Sequence, residues 1–316
     1  MVVKKGHDVA NRILEFSQCP VRLRVRRHQL VIDRSGQDLI SEPLADVAVI
    51  VAAHPEVTYS QAVLTEIVAQ GGIFVVCDKN RLPAGMLLPL DWHSTQTTFF
   101  HRQIALAAPR RKQLWKQVVQ SKIAMQAMLL VEQTGCDHEL TPLISKVRSG
   151  DTGNVEAWAA RKYWSALFGD DFRRDCGTDH VNAFLNYGYA ILRAAAARAI
   201  CAAGLHPSIG LHHHNKYNPW GLADDLMEPY RPIVDRVVWK ISDGGKQLLN
   251  LDPGVKQRVI SAILSHVKIG EELRALFDAL SISAVSFREA MQTKTSSLVF
   301  PEEFCDDTER IGVVGV

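Results

Sequence analysis

Carboxylate side chains that could bind a cation occur first in residues 149–161, which read SGDTGNVEAWAAR. Two glycines and several small polar residues make a loop that leads directly into a predicted helix, with Glu156 in or near its first turn. A carboxylate there is favoured by the helix dipole and by free backbone N–H groups, so capping is the simpler explanation of Glu156. Cation binding is the alternative.

A second segment, residues 204–228, combines a glycine-rich loop, three consecutive histidines and a group of carboxylates. Asp225 and Glu228 are spaced i, i+3, so a helix places them on one face, with Asp224 as its expected N-cap. One histidine from the loop and two carboxylates on a nearby helix can hold a divalent cation. The alternative is a capped helix with a solvated acidic face and an exposed histidine run.

The ligand types limit which cation such a site would take. Carboxylate oxygens favour hard cations such as Mg²⁺ or Mn²⁺, while an imidazole shifts the preference toward Mn²⁺ and its later neighbours. The six cysteines are scattered without a CxxC pair, which speaks against a zinc ribbon and against a disulfide framework. Mg²⁺ or Mn²⁺ is therefore the cation that we expect such a site to take.

The elements that must position these residues begin with a strand-rich region, residues 1–95. Residues 21–26 alternate apolar and basic side chains, and residues 47–52 form a short apolar run bounded by prolines. Residues 58–70 switch to helical spacing, with Thr58 as the expected N-cap. Further strands are predicted at residues 29–33, 73–77 and 86–90.

Residues 96–295 lose nearly all strand signals and are predicted to form an all-helical domain. Helices are expected at residues 154–168, 181–203, 254–268 and 284–294. Trp158, Tyr163 and Trp164 lie at helical spacing, so we expect them to pack in the core and not to stack on bases. Residues 296–316 are expected to form an acidic, flexible tail. The predicted fold class is thus α+β, with a small β-rich domain, a larger helical domain and a tail.

The charge of this chain is informative only when it is divided by segment. The 316 residues carry 36 Lys+Arg and 34 Asp+Glu, an average globular composition without the basic excess of a simple nucleic-acid binder. Residues 96–150, however, contain eight basic and three acidic side chains. A phosphate-contacting surface and a solvated helix face both fit this excess. The candidate phosphate contacts are Arg110, Arg111, Lys112, Lys116, Lys122 and Arg161.

Hydropathy favours a soluble protein of the cytoplasm with no membrane partner. The N-terminal residues contain no apolar run long enough for a signal peptide. The most apolar stretch, residues 181–203, carries two arginines and is interrupted by Gly188, so a buried helix is expected there.

Two phrases in the sequence carry a resemblance to a known family. SGDTGNVEAWAARKYW and GLHPSIGLHHHNKYNPWGLADDLMEPYRP resemble the CRISPR-associated protein one family, the spacer-acquisition integrases. The second phrase is the more specific, and its HHxN form with Glu228 is similar to the version found in type II systems. The resemblance extends over about residues 10–290. It implies an N-terminal β-domain followed by a helical domain.

The same resemblance implies the site and its chemistry. Matched position by position, the catalytic, metal-binding residues are Glu156, His213 and Glu228, with Asp225 as a weaker ligand or as support for one. Many relatives have Asp at the position of Glu228. The implied activity is that of a metal-dependent DNA endonuclease and integrase. It would join the 3′-hydroxyl ends of captured foreign DNA to the repeat array by phosphodiester transesterification.

The partners implied are double-stranded DNA, a second copy of the chain and CRISPR-associated protein two in a larger adaptation complex. The homodimer is expected to form through the β-rich domain. Two other functions fit the residues themselves. One is a divalent-metal phosphodiesterase acting on RNA or nucleotides, and the other is a non-catalytic DNA-binding scaffold whose acidic residues only cap helices.

Overall fold

The computed structural model describes residues 12–79, 81–89, 93–174, 180–213, 217–247, 250–293 and 295–305. These residues form two compact units, one made of residues 12–89 and the other of residues 93–305. The predicted boundary between residues 95 and 96 lies near this division. His214 and the predicted tail beyond residue 305 lie outside the described residues.

The first unit contains two four-stranded sheets within residues 12–89. One has the order β4-β3-β2-β6, and the other, β1-β5-β7-β8, pairs β1, β5 and β7 in parallel and β8 antiparallel. The elements are β1 (Arg12–Phe16), β2 (Arg22–Arg26), β3 (Gln29–Asp33), β4 (Ile40–Pro43), β5 (Val47–Ala52), β6 (Thr58–Tyr59), α1 (Gln61–Ala69), β7 (Ile73–Cys77) and β8 (Pro83–Leu87).

The strands of this unit agree with the sequence pattern, but the start of α1 does not. The predicted strands at β2, β3, β5 and β7 are confirmed, and the alternation in β2 directs Leu23 into the core. Thr58 is not an N-cap, because it pairs with Arg22 in a parallel bridge and α1 begins at Gln61 after Ser60. Strand β8 lies a few residues earlier than predicted.

The second unit is mostly helical and is organised around the long helix α3. Its helices are α2 (Gln96–Ile104), α3 (Ala108–Thr134), α4 (Thr141–Lys146), α5 (Val155–Phe168), α6 (His180–Ala202), α7 (Gly221–Met227), α8 (Arg231–Ser242), α9 (Pro253–Ser261) and α10 (Leu276–Ala290). A 3₁₀ turn, Glu228–Tyr230, joins α7 to α8. Within the described part of the chain, every helix is too short or too polar to cross a bilayer.

The prediction that this second unit is all-helical is wrong. Strands β9 (His266–Ile269), β10 (Glu272–Ala275) and β11 (Glu303–Phe304) form a small antiparallel sheet, in which Gly270, with φ +61°, turns the chain between β9 and β10. The expected helix at 254–268 therefore ends early. Residues 296–305 are also not a flexible tail, because Phe300 is buried and β11 pairs with β9.

Candidate active site

Glu156 lies in the first turn of α5, but it does not cap that helix. Asn154 adopts a left-handed conformation, with φ +52°, that brings the chain into the helix. The carboxylate of Asp151 accepts hydrogen bonds from the backbone N–H groups of Val155 and Glu156, each at 2.9 Å. Because Asp151 satisfies these donors, the Glu156 side chain is available for another contact.

That contact is an ammonium group shared by two of the predicted site residues. Nζ of Lys122, on α3, lies 2.7 Å from Oε1 of Glu156 and 2.7 Å from Oε2 of Glu228. The other oxygen of Glu228 lies 3.0 Å from Nη2 of Arg231. The structure thus brings Glu156 and Glu228 together around one cationic group.

The charges in this cluster stabilise one another. Burial by itself raises the pKa of Glu228, but Arg231 and Lys122 overcome this effect and lower it to about 2. Burial likewise lowers the pKa of Lys122, yet the carboxylates of Glu228 and Glu156 produce a net rise. Glu228 and Lys122 are therefore both charged at neutral pH.

His213 is positioned by Asp225. Nδ1 of His213 lies 2.7 Å from Oδ1 of Asp225, whose side chain is fully buried. The same carboxylate accepts backbone N–H groups from Leu211, His212 and His213 at 2.5, 3.0 and 3.2 Å. An ionised carboxylate only accepts, so Nδ1 carries the proton and Nε2 keeps its lone pair. The hydrogen bond to Asp225 raises the pKa of His213 more than burial lowers it.

Two glycines allow the histidine loop to approach α7 closely. A Cβ atom at Gly221 would lie only 2.2 Å from the carbonyl oxygen of His213. A Cβ atom at Gly210 would lie 2.8 Å from Oδ2 of Asp225. Because real Cβ contacts are longer than this, glycine at both positions is part of what holds His213 beside Asp225.

Two residues that support this loop were missed by sequence reasoning. The ring of Trp115 stacks on His212 at 4.4 Å between centroids and meets the ring of His213 edge-on at 5.7 Å. The buried amide of Gln103 donates to the carbonyl oxygen of His206 at 3.1 Å and accepts its N–H at 2.8 Å. Trp115 and Gln103 both lie far from the loop in the sequence. The sequence therefore shows that one is apolar and the other polar, but not that they contact the loop.

Asp224 does not have the role that the sequence predicted. It lies inside α7, whose N-cap position is Trp220, and it is buried. Its oxygens accept Nε of Arg193 at 2.6 Å and Nδ2 of Asn218 at 2.7 Å. Asp224 therefore ties α7 to α6 and to the chain that precedes α7.

The candidate phosphate contacts have different environments. Arg110 donates to the carbonyl oxygens of Ala290, Thr293 and Ser296, at 2.6 to 3.1 Å. Arg111 is half-buried and donates to a carbonyl oxygen just before α3. Lys112 and Arg161 are exposed.

The aromatic residues of α5 differ from one another in burial. The prediction that Trp158 packs in the core is wrong, because it is 42% exposed. Its ring has Nζ of Lys146 at 5.4 Å and Nζ of Lys162 at 5.7 Å from its centroid. Tyr163 is buried as predicted, and Trp164 is partly buried.

The described residues supply candidate donors for a divalent cation but no preformed metal site. Among the described residues, no three His, Cys, Asp or Glu side chains already surround one point at ligand geometry. Glu156 and Glu228 nevertheless share a cationic group, and Glu228 and His213 are near enough to shift each other's pKa. Carboxylate oxygens suit Mg²⁺ and Mn²⁺, and an imidazole nitrogen shifts the preference toward Mn²⁺ and its later neighbours.

Solved structures show that this fold is known. A structure titled casposase bound to integration product has a TM-score of 0.75 at 19% identity and covers 91% of this chain and 92% of that chain. A CAS1 protein from Thermotoga maritima has a TM-score of 0.70 at 14% identity, covering 90% and 98%. The α+β fold predicted from the sequence is therefore confirmed as the fold of these proteins.

Sequence comparisons identify the family. The model of the CRISPR associated protein Cas1 family matches residues 17–248. A CRISPR-associated endonuclease Cas1 from Neisseria meningitidis serogroup C is 37% identical over 285 residues, 89% of this chain and 93% of the relative. A Cas1 endonuclease from Pyrobaculum aerophilum is 29% identical over 237 residues, 70% and 80%. The chain belongs to the Cas1 family, as its two phrases suggested, and it is an enzyme of this endonuclease class.

Proposed function

We propose that this chain is a metal-dependent DNA endonuclease and integrase of CRISPR adaptation, with Glu156, His213 and Glu228 as its catalytic residues. The observation that carries the proposal is the convergence of Glu156 and Glu228 on one cationic group. The hydrogen bond between His213 and Asp225 supports including His213 in the same site, because Asp225 precedes Glu228 by three residues at the end of α7.

The residues divide the chemistry between them. Oxygens of Glu156 and Glu228 and Nε2 of His213 would hold Mg²⁺ or Mn²⁺, which polarises a phosphodiester and neutralises its developing charge. Asp225 keeps the proton on Nδ1 of His213 and thereby orients the ring. Asp225 already receives several donors, so we assign it to orientation and not to ligation.

The proposed reaction is a direct phosphoryl transfer. In integration, the 3′-hydroxyl oxygen of a captured DNA fragment forms a bond to a target phosphorus. The bond from that phosphorus to the neighbouring 3′-oxygen of the target breaks, and the hydroxyl proton leaves to solvent. In cleavage, water takes the place of the 3′-hydroxyl.

The proposed partners follow from the relatives. One solved structure with the same fold, of TM-score 0.73, is titled Cas6-RT-Cas1–Cas2 complex, and the casposase structure contains an integration product. We propose that this chain binds double-stranded DNA and CRISPR-associated protein two in the cytoplasm. We also propose a homodimer that forms through the first unit, as the resemblance to the family implies.

The proposal is tested by strand transfer from a short duplex into a supercoiled plasmid, with Mg²⁺, Mn²⁺ or a chelator. We expect Glu156→Gln, His213→Ala and Glu228→Gln each to reduce transfer by about 100-fold or more. Glu139→Gln removes an exposed carboxylate of the same unit and serves as the matched control.

Three results would contradict the proposal. Unchanged transfer in Glu156→Gln or His213→Ala would eliminate the assigned site. Equal cleavage of RNA, with no preference for duplex DNA that has free 3′ ends, would indicate a general phosphodiesterase. DNA binding without any metal-stimulated reaction in the intact protein would indicate a scaffold.

A further inference from the structure

Lys122 is the charged residue at the centre of the site that the resemblance did not supply. Its Nζ atom makes 2.7 Å contacts with both Glu156 and Glu228, from a helix that carries neither of them. The Lys122 side chain is 12% exposed and that of Glu228 is 3% exposed. The ammonium is therefore a partly enclosed counter-ion and not a solvated surface charge.

This arrangement balances the two carboxylates without any other ion. Lys122 and Arg231 supply two positive charges, and Glu156 and Glu228 supply two negative charges. The two cationic residues contact different carboxylate oxygens. Arg231 contacts Oε1 of Glu228, whereas Lys122 contacts Oε2 of Glu228 together with Oε1 of Glu156. Of these two cationic groups, the ammonium is the one that contacts both carboxylates.

A divalent cation that used both carboxylates would meet this ammonium. Metal–oxygen bonds of about 2.0–2.2 Å place such an ion among the same oxygens, within a few ångströms of Nζ. Two cations at that separation repel each other strongly in a poorly hydrated site. The four-carbon stem of lysine is flexible and its head is strongly hydrated, so Lys122 can withdraw toward solvent while Arg231 keeps Glu228 in place.

We infer that Lys122 is an internal counter-ion that competes with the divalent cation for Glu156 and Glu228 and so sets the affinity of the site. This inference rests on the proposed function, because it takes these two carboxylates as metal ligands. It makes Lys122 a positioning residue: in the metal-free protein it holds the carboxylates together, and it must leave them when the metal binds.

The test is Mn²⁺ binding, measured from the free Mn²⁺ signal by electron paramagnetic resonance. Lys122→Met and Lys122→Gln remove the charge, and we expect each to bind Mn²⁺ about tenfold more tightly or better. Lys122→Arg keeps the charge and should show no such gain. Lys116→Met removes a lysine from the same helix without touching the site carboxylates and is the matched control.

Stability supplies a second readout that a merely structural lysine would not produce. In chelator, both neutral variants should melt at a lower temperature than the parent, because two neighbouring carboxylates lose their shared counter-ion. With Mn²⁺, the rise in melting temperature should be larger in these variants than in the parent. A lysine with only a structural role would give the first change without the second.

The unmodified protein gives a test that does not depend on a variant folding. Acylation of Lys122 by an amine-reactive reagent, measured by peptide mass spectrometry, should increase when Mg²⁺ is added, and acylation of Lys116 should not. Unchanged Mn²⁺ affinity in folded neutral variants, or unchanged labelling at saturating Mg²⁺, would overturn the inference. Failure of the parent protein to bind Mn²⁺, or parent-like binding by Glu156→Gln, would overturn the proposed metal site instead.

Discussion

At the scale of single residues, the phrases in the sequence single out the residues of the proposed site but not the contacts between them. Glu156, His213 and Glu228 stand out because small polar residues, glycines and carboxylates surround them. Lys122 does not stand out, because it is one of several basic residues on a long helix whose apolar face dominates the pattern. Its role depends on two contacts, one with Glu156, which is 34 positions later in the sequence, and one with Glu228, which is 106 positions later. Short-range spacing cannot reveal contacts over such separations.

Another buried carboxylate, Asp235, is linked to this site through Arg231. Asp235, on α8, accepts the hydroxyl groups of Tyr163 at 2.7 Å and Tyr189 at 2.5 Å. The guanidinium of Arg231 lies 4.8 Å from the ring centroid of Tyr189 and also contacts Glu228. Asp235 therefore belongs to the group of residues that holds Arg231 beside the site.

Asp235 should give the protein a measurable pH dependence of stability. Burial raises the pKa of Asp235 to about 6, although hydrogen bonds from Tyr189 and Tyr163 oppose the rise. The folded state then holds a proton that the unfolded state loses near pH 4. The contribution of Asp235 to stability should fall by roughly 3 kcal/mol between about pH 4 and pH 6 and stay level above that range.

The measurement is urea unfolding of the parent and of Asp235→Asn at intervals across this pH range. The asparagine keeps the shape of the side chain but does not titrate, so subtracting its stability curve removes the contributions of the histidines. A parent-minus-variant difference that is flat, or that rises with pH, would show that Asp235 is not the buried titrating group described above.

At the scale of elements, Gly188 lies inside the helix that the sequence predicted at residues 181–203, and the structure shows why a glycine is found there. In the sequence it interrupts an apolar stretch, yet α6 continues through it from His180 to Ala202. A Cβ atom at Gly188 would lie 2.4 Å from Cγ1 of Val234 on α8 and 2.9 Å from Cγ1 of Val259 on α9. The glycine is thus a point of close helix packing and not a break in the helix.

Gly188→Ala should therefore destabilise the protein even though alanine is the better helix former. We expect a net loss of about 1–2 kcal/mol, because overpacking outweighs the gain in helix propensity. Urea unfolding measures the loss. Adding Val234→Ala should recover part of the lost stability. A double-mutant cycle that shows no favourable coupling between Gly188→Ala and Val234→Ala would contradict the proposed contact.

At the scale of the whole chain, the strand-rich and helical parts could be predicted, whereas the small sheet of the second unit could not. Period-2 alternation and apolar runs marked the strands of the first unit because those strands bury whole faces. Strands β9, β10 and β11 are only four, four and two residues long; β9 and β10 form a local hairpin, whereas β11 pairs with β9 from a distant segment. Such short strands leave almost no periodic signal, and β11 could be recognised only once its partner was known.

The distribution of charge leads to a prediction about DNA binding, because neighbouring basic residues have different environments. Arg110 donates to three carbonyl oxygens near the end of α10, so Arg110→Gln should lower the melting temperature.

Lys112 and Arg161 are exposed, and Lys112→Gln and Arg161→Gln should instead weaken duplex DNA binding. Each should reduce the slope of log affinity against log salt by about 1. Fluorescence anisotropy across a salt series measures this slope, and a parent-like slope in both variants would show that these side chains contact no phosphate.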